Sequence, residues 1–189
     1  MGVLTVKQQP VTLTTELPGR TVPYLISEIR PQVGGIIQSR QFTEGGDVKA
    51  GQTLYQIDPA QYRASYASAQ ASLAKAEETL RTAQLKAERY KELAQIKAIS
   101  QQEGDDTDAA LGQAKADVAA GKASVETARI NLAFARLDAP ISGRIGRSSV
   151  TPGALVTANQ ATALTTIQQL DPIYIDVTQP SSAVLRLRQ

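Results

Sequence analysis

Between Pro59 and Pro140 the chain has no proline, and small or apolar residues recur there in steps of four and three. From Tyr62 the series runs Tyr66, Ala69, Leu73, Ala76, Leu80, Ala83, Ala87, Tyr90 and Ala94; a second runs Leu111, Ala114, Val118, Gly121, Val125, Ala128, Leu132 and Ala135. Such steps keep successive members on one side of a helix, as in a heptad seam, so the spacing predicts two long helices with facing seams. Alanine, the strongest helix former, supplies 21 of the 76 residues from Ala60 to Ala135. The reversal falls between Gln95 and Ile99, and Ser100 with Glu103 after it has the form of a capping box that starts the second arm. Asp58-Pro59 starts the first, with a capping carboxylate and a proline at the first helical position. Arms of roughly 36 residues reach about 54 Å at about 1.5 Å per residue. Alanine-rich seams let the helices approach closely but bury little apolar surface, so the pair is a projecting arm rather than a core.

The flanks change period. Val11 to Leu17 alternates as a half-buried strand does and is ended by Pro18-Gly19; Thr21 to Ile29 is also extended. Pro31 to Ile37 is a short strand broken by Gly34-Gly35, glycine-rich turns surround Val48, and Leu54 to Asp58 is the last strand before the arm. After the arm the pattern repeats. Setting Gly35 against Gly143 aligns Gly45 with Gly153 and Val48 with Val156; after two extra residues near Asn159, Leu54–Ile57 meets Leu164–Ile167. Pro31 and Pro140 begin the two copies. Two such halves close into one small β-sandwich with the arm growing from its middle. Pro172 to Val177 is a further strand, and Ser181 to Arg188 a short capped helix. The fold class is α+β.

Composition narrows the chemistry. The chain has 42% hydrophobic residues and a net charge of +2, as an ordinary soluble protein does, which gives no footing for nucleic-acid binding. Aromatics are only 4%, which suits an elongated molecule with thin local cores. Cysteine and histidine are both absent, removing most nucleophile–base and metal-ligand arrangements, so no enzyme activity, cofactor or metal is expected. No apolar run approaches the length of a membrane span, and no signal peptide precedes Met1. Met1-Gly2 is not a myristoylation signal, because Val6 stands where Ser or Thr is needed; it is read as an expression start.

The half-motifs, G-x-I followed by E-G-x-x-V-x-x-G-x-x-L, resemble the biotinyl/lipoyl carrier fold. A lipoyl domain split by a coiled-coil hairpin resembles the periplasmic adaptors, or membrane fusion proteins, of bacterial tripartite efflux pumps. The stretches TTELPGRT, RPQVGGII, LYQIDP, ETARINLAFARL, APISGRIG and IQQLDPIYIDVTQP, spread along nearly the whole chain, are similar to the branch serving resistance-nodulation-division (RND) exporters. The resemblance implies membrane-proximal and β-barrel strands over 1–29, lipoyl halves at 30–58 and 139–170, the hairpin at 59–138, and the start of a β-barrel domain at 171–189. It implies a shortened chain, the full protein being held at the periplasmic side of a Gram-negative inner membrane by an N-terminal lipid. Its partners would be an RND-type transporter, a TolC-type outer-membrane channel and further copies of itself, six in the assembled pump.

In this family an arginine, a leucine four residues on and a serine seven beyond that are implicated in channel docking at the hairpin tip. Arg89, Leu93 and Ser100 have that spacing. Each also has a plainer reading: Arg89 as a solvated charge, Leu93 as tip packing, Ser100 as an N-cap alone. Arg144 and Arg147, in the lipoyl loops, are candidates for contacts between copies in a ring, or ordinary solvated charges. The chain departs from the family just after the serine, where an aromatic is common and Gly104 stands here, followed by Asp105, Asp106 and Asp108. Glycine in the first turns costs about 1 kcal/mol relative to alanine. The aspartates lack the spacing of a calcium loop and suit a helix N-terminus.

Two other functions fit parts of the pattern. A lipoate or biotin carrier needs a lysine at the joint between the halves, but the joint reads Gln56-Ile57-Asp58-Pro59, and Lys49 lies in an earlier turn. Adaptors of ABC-type exporters share the lipoyl-plus-hairpin plan, with weaker resemblance to the two stretches nearest the chain ends.

Overall fold

The computed structural model describes residues 16–96 and 98–179. The strand expected from Val11 lies outside them as far as Thr15, and Glu16 and Leu17 belong to no strand; the helix expected at Ser181–Arg188 lies wholly outside. Four strands, β1 (Gly19–Ile29), β2 (Gly35–Arg40), β3 (Asp47–Val48) and β4 (Thr53–Ile57), precede two helices, α1 (Ala60–Gln95) and α2 (Gln101–Phe134). Strands β5 (Arg136–Asp138), β6 (Gly143–Ile145), β7 (Leu155–Val156) and β8 (Thr165–Val177) follow. They form two four-stranded sheets of order β1-β8-β6-β3 and β5-β4-β2-β7, antiparallel at every pairing.

The internal repeat is carried into the pairing. Gly35 of the first half lies opposite Val156 of the second, and Val48 of the first opposite Gly143 of the second, so each half completes the other's sheet. The Gly51 N–H donates to Ala139 O (2.8 Å) as the Asn159 N–H donates to Pro31 O (2.8 Å). Both donors have positive φ, +81° at Gly51 and +54° at Asn159, and asparagine tolerates that region better than other side-chain-bearing residues. Pro31 therefore corresponds to buried Ala139, not to Pro140, which is exposed. The strand expected from Pro31 begins only at Gly35, because the Pro31 carbonyl is engaged by the Asn159 turn rather than by a ladder. Conversely, Thr165–Ile167 and Pro172–Val177 belong to one long element, β8, with Leu164 just ahead of it.

The core includes matched pairs from the halves: Ile37 and Ile145, Val48 and Val156, Leu54 and Leu164, Ile57 and Ile167, all buried. Each large aliphatic removed from water contributes about 1.5–3 kcal/mol. One pair is unequal. Tyr55, with no exposed surface, is matched in the repeat by the small buried Thr165. Its hydroxyl meets Ser148 Oγ at 2.5 Å and donates to Leu164 O at 3.3 Å, and Phe42 packs edge-on against it with ring centres 5.2 Å apart.

The hairpin grows from this core. The Ile57 N–H donates to Ala135 O (2.8 Å), and Tyr62 Oη donates to Gly34 O (2.6 Å), which fixes the foot of both arms to the sheet. Pro59 occupies the N-cap, one residue outside its expected place, and Asp58 Oδ1 accepts the Ala60 N–H at 3.0 Å. Along α1 every seam residue from Tyr66 to Tyr90 is half-buried and every position between them is exposed; on α2 Ala114 and Val118 are buried. The seam reaches closer to the turn than apolar spacing showed, because Gly104, half-buried, and Thr107, buried, continue the steps of four and three toward Leu111. Ala94, its expected last member on α1, is exposed, so the seam opens at the tip.

Candidate docking surface at the hairpin tip

The tip is shaped by how the two helices end. The Ala98 N–H donates to Leu93 O (2.9 Å), a closure that reaches back five residues and satisfies a terminal carbonyl of α1. Ser100 caps α2: its Oγ accepts the Glu103 N–H (3.2 Å) and donates to Glu103 Oε2 (2.9 Å), which also accepts the Ser100 N–H (2.9 Å). These bonds, the backbone one foremost, hold the Glu103 carboxyl below its usual range. A residue singled out for docking is thus already committed to holding the turn together.

Arg89 is exposed, its Nε donating to Leu85 O (3.2 Å) and its remaining guanidinium donors free of ion pairs among the described residues. Leu93 is 37% exposed and Ile96 73%. Apolar side chains left in water at a turn, beside a cation with donors to spare, form a surface suited to a protein partner. Ile96 was missed by the spacing argument, and its signal is simply an isoleucine in a turn.

Between the last turns of α1 and the first of α2 lies a cleft of about 530 Å³, walled by Ala87, Tyr90, Ala94 and Ile99 and floored toward Gly104 and Thr107. Lys86 Nζ lies 5.3 Å from the centre of the Tyr90 ring. Lys91 edges the cleft from α1 and Asp105 and Asp108 from α2. Among the described residues no three acidic side chains converge on a point that could hold a metal ion.

Arg144 and Arg147 stand in the sandwich, at the opposite end of the arm. Arg144 Nε pairs with Asp47 Oδ1 (3.3 Å) across the β3–β6 ladder, whereas Arg147 is exposed with no ion pair among the described residues. The structure brings Arg89, Leu93 and Ser100 to one end and separates the two loop arginines from them by the length of the hairpin. At the joint between the halves β4 passes directly into α1, leaving no hairpin on which a carrier lysine could stand.

A sandwich assembled from two crossed halves and interrupted by a helical hairpin defines a class, and the comparisons give it a family. The family described as "RND MFP, barrel-sandwich hybrid domain" matches residues 26–168, and the chain belongs to it. It is 59% identical over its whole length to the multidrug efflux pump subunit AcrA of Escherichia coli, covering 48% of that protein. It is 57% identical, again over its whole length, to the multidrug resistance protein MexA of Pseudomonas aeruginosa, covering 46%. A MacA–MexA chimeric protein containing the Pseudomonas aeruginosa MexA α-hairpin is 36% identical, with a TM-score of 0.56 over 80% of this chain and 48% of its own. The chain thus spans about half the length of the curated relatives it matches. No described helix is long and apolar enough to cross a membrane.

Proposed function

We propose that this chain is the hairpin-bearing part of a periplasmic adaptor that joins a proton-driven RND-type exporter in the inner membrane to a TolC-type outer-membrane channel. The observation that carries it is the arm itself: two helices of 36 and 34 residues, fixed at the foot to a sandwich and ending in exposed Arg89, Leu93 and Ile96. Its work is mechanical. The tip docks on the channel through Arg89, Leu93 and Ser100, several copies, six in the full assembly, stand side by side, and the drug passes between them without chemistry on this chain. Ring contacts involve the lipoyl loops; Arg147 is the freer candidate, since Arg144 already holds Asp47. The β1–β8 ribbon supports further chain packing here. Consecutive exposed residues Tyr24, Leu25 and Ile26, and Ile173, Tyr174 and Ile175, make both of its faces apolar, as strands of a larger β-barrel domain would be. The full protein, in this reading, is held at the inner membrane by an N-terminal lipid.

The test is drug susceptibility of a bacterium lacking its own adaptor and complemented with the full-length protein carrying Arg89→Ala, Leu93→Ala, Ser100→Ala or Ser100→Asp. Ser100→Asp keeps an N-cap acceptor and separates capping from docking. Loss of efflux at normal protein level supports tip docking. Wild-type complementation by all four variants overturns it.

A further inference from the structure

Glycine inside a helix needs a reason, and α2 has three glycines with different surroundings. At Gly121 an added Cβ would lie 3.1 Å from Leu73 Cδ1 and 3.4 Å from its Cα, so the close approach of the arms accounts for it. At Gly104 and Gly112 an added Cβ would meet nothing within 4 Å, and neither has a backbone angle that excludes other residues. The two differ in place. Gly112 is exposed, whereas Gly104 belongs to the seam and lies on the cleft at the tip, where an added Cβ would still find open space. The seam is therefore left unfilled where the arm ends.

We infer that this cleft is a socket for a bulky apolar side chain carried on a helical turn of the docking partner beside a lysine or arginine, and that Gly104 sets which tips fit. This rests on the adaptor reading and deepens it. The walls supply the apolar part: Tyr90, Ile99 and the alanines form a recess, and an anchor residue seated in a recess is the usual centre of a protein interface. Charge supplies the basic part. Glu103, Asp105, Asp106 and Asp108 fall within Gln101–Ala110, which has no lysine or arginine, and Asp105 and Asp108 edge the cleft. Opposite, Lys91 edges it from α1, so a cation approaches from the α2 side. Arg89 and Leu93, in the same closing turns of α1, extend the contact beyond the socket.

The experiment measures binding of the full-length protein to the purified TolC channel of Escherichia coli, comparing wild type, Gly104→Ala, Gly104→Leu, Gly112→Leu, Asp108→Asn and Arg89→Ala. Far-UV circular dichroism melts accompany each variant, because leucine in place of helical glycine should not lower the melting point. The expected result is a loss of at least about tenfold for Gly104→Leu, with Gly104→Ala and Gly112→Leu within about twofold of wild type. Asp108→Asn should weaken binding and flatten its dependence on salt. If Gly104→Leu binds like wild type while Arg89→Ala does not, docking stands and the socket is wrong. Equal losses for Gly104→Leu and Gly112→Leu overturn the socket as well. If Gly104→Leu spares channel binding but abolishes self-association in sedimentation, the occupant is a second copy and the proposal falls. If wild type does not bind, the adaptor reading fails, and the socket with it.

Discussion

Replacing Gly143 with alanine would place a methyl group 2.4 Å from the Gln168 carbonyl oxygen and 2.8 Å from its carbon. Carbon atoms are comfortable at about 3.5 Å or more from such neighbours, so the deficit is about 1 Å. Nothing on the receiving side can rotate away, because the obstacle is backbone. Relief requires β6 and β8 to part where Arg144 faces Gln168 and Ile145 faces Ile167, close to the 2.8 Å bond from the Gly146 N–H to Thr166 O. Overpacking costs about 1–3 kcal/mol and a weakened hydrogen bond about 1 more, which gives about 2–4 kcal/mol in all. Its repeat mate gives the first control: Gly35, at φ +152°, shares the backbone conformation of Gly143, at +158°, but in Gly35→Ala the methyl meets Ile57 Cγ2 at 2.6 Å, a side chain that can shift, so the contact costs about 1–3 kcal/mol. Gly45→Ala gives the second. Its Cβ would touch nothing within 4 Å, so its cost is the positive φ of +74° alone, about 1–2 kcal/mol. Urea unfolding followed by near-UV circular dichroism, where buried Tyr55 reports on the sandwich, should rank the variants Gly143, Gly35, Gly45 from most to least damaging. A Gly143→Ala protein as stable as Gly45→Ala, to within about 0.5 kcal/mol, would refute the reasoning.

Other consequences concern the arm and the core. Ser100→Ala should lower the stability of the hairpin by about 1 kcal/mol and Ser100→Asp by less, read from far-UV thermal melts. Because the Glu103 carboxyl is held below its ordinary value near 4.5, its capping contribution is complete above that value and lost as the pH falls through the lower folded-state value. An acid titration of helicity should show this, and Glu103→Gln should abolish it. Gly121→Leu should destabilise the arm by about 1–3 kcal/mol by forcing it apart at Leu73, while Gly112→Ala should stabilise it by about 1 kcal/mol; both are measurable by thermal melts. Tyr55→Phe should cost about 0.5–1.5 kcal/mol in urea unfolding, since Ser148 Oγ keeps its 2.7 Å bond to Val150 O. Burial raises the Tyr55 pKa above 10, so the tyrosine's contribution is full below that value and lost as the pH rises through the folded-state value. Stability should therefore fall in alkaline titration, less so in Tyr55→Phe.

The hairpin and the repeat can be read along the chain, because both rest on local periodicity. A residue's place on a helix face follows from its number: Leu73 and Leu80 are seam residues wherever the helix points, and the Ser100–Glu103 box completes itself within one turn. The glycine and valine spacing likewise announced two equivalent halves. Tertiary structure alone decided how those halves cross. That Gly35 faces Val156 and that Val48 faces Gly143 are pairings between residues roughly a hundred positions apart, and no local pattern encodes them. The site divides the same way. The spacing of Arg89, Leu93 and Ser100 was legible along the chain. The cleft beside them was not, since it exists only where α1 and α2 diverge, and its floor is made by Gly104 and Thr107, residues whose size matters there because of what stands opposite.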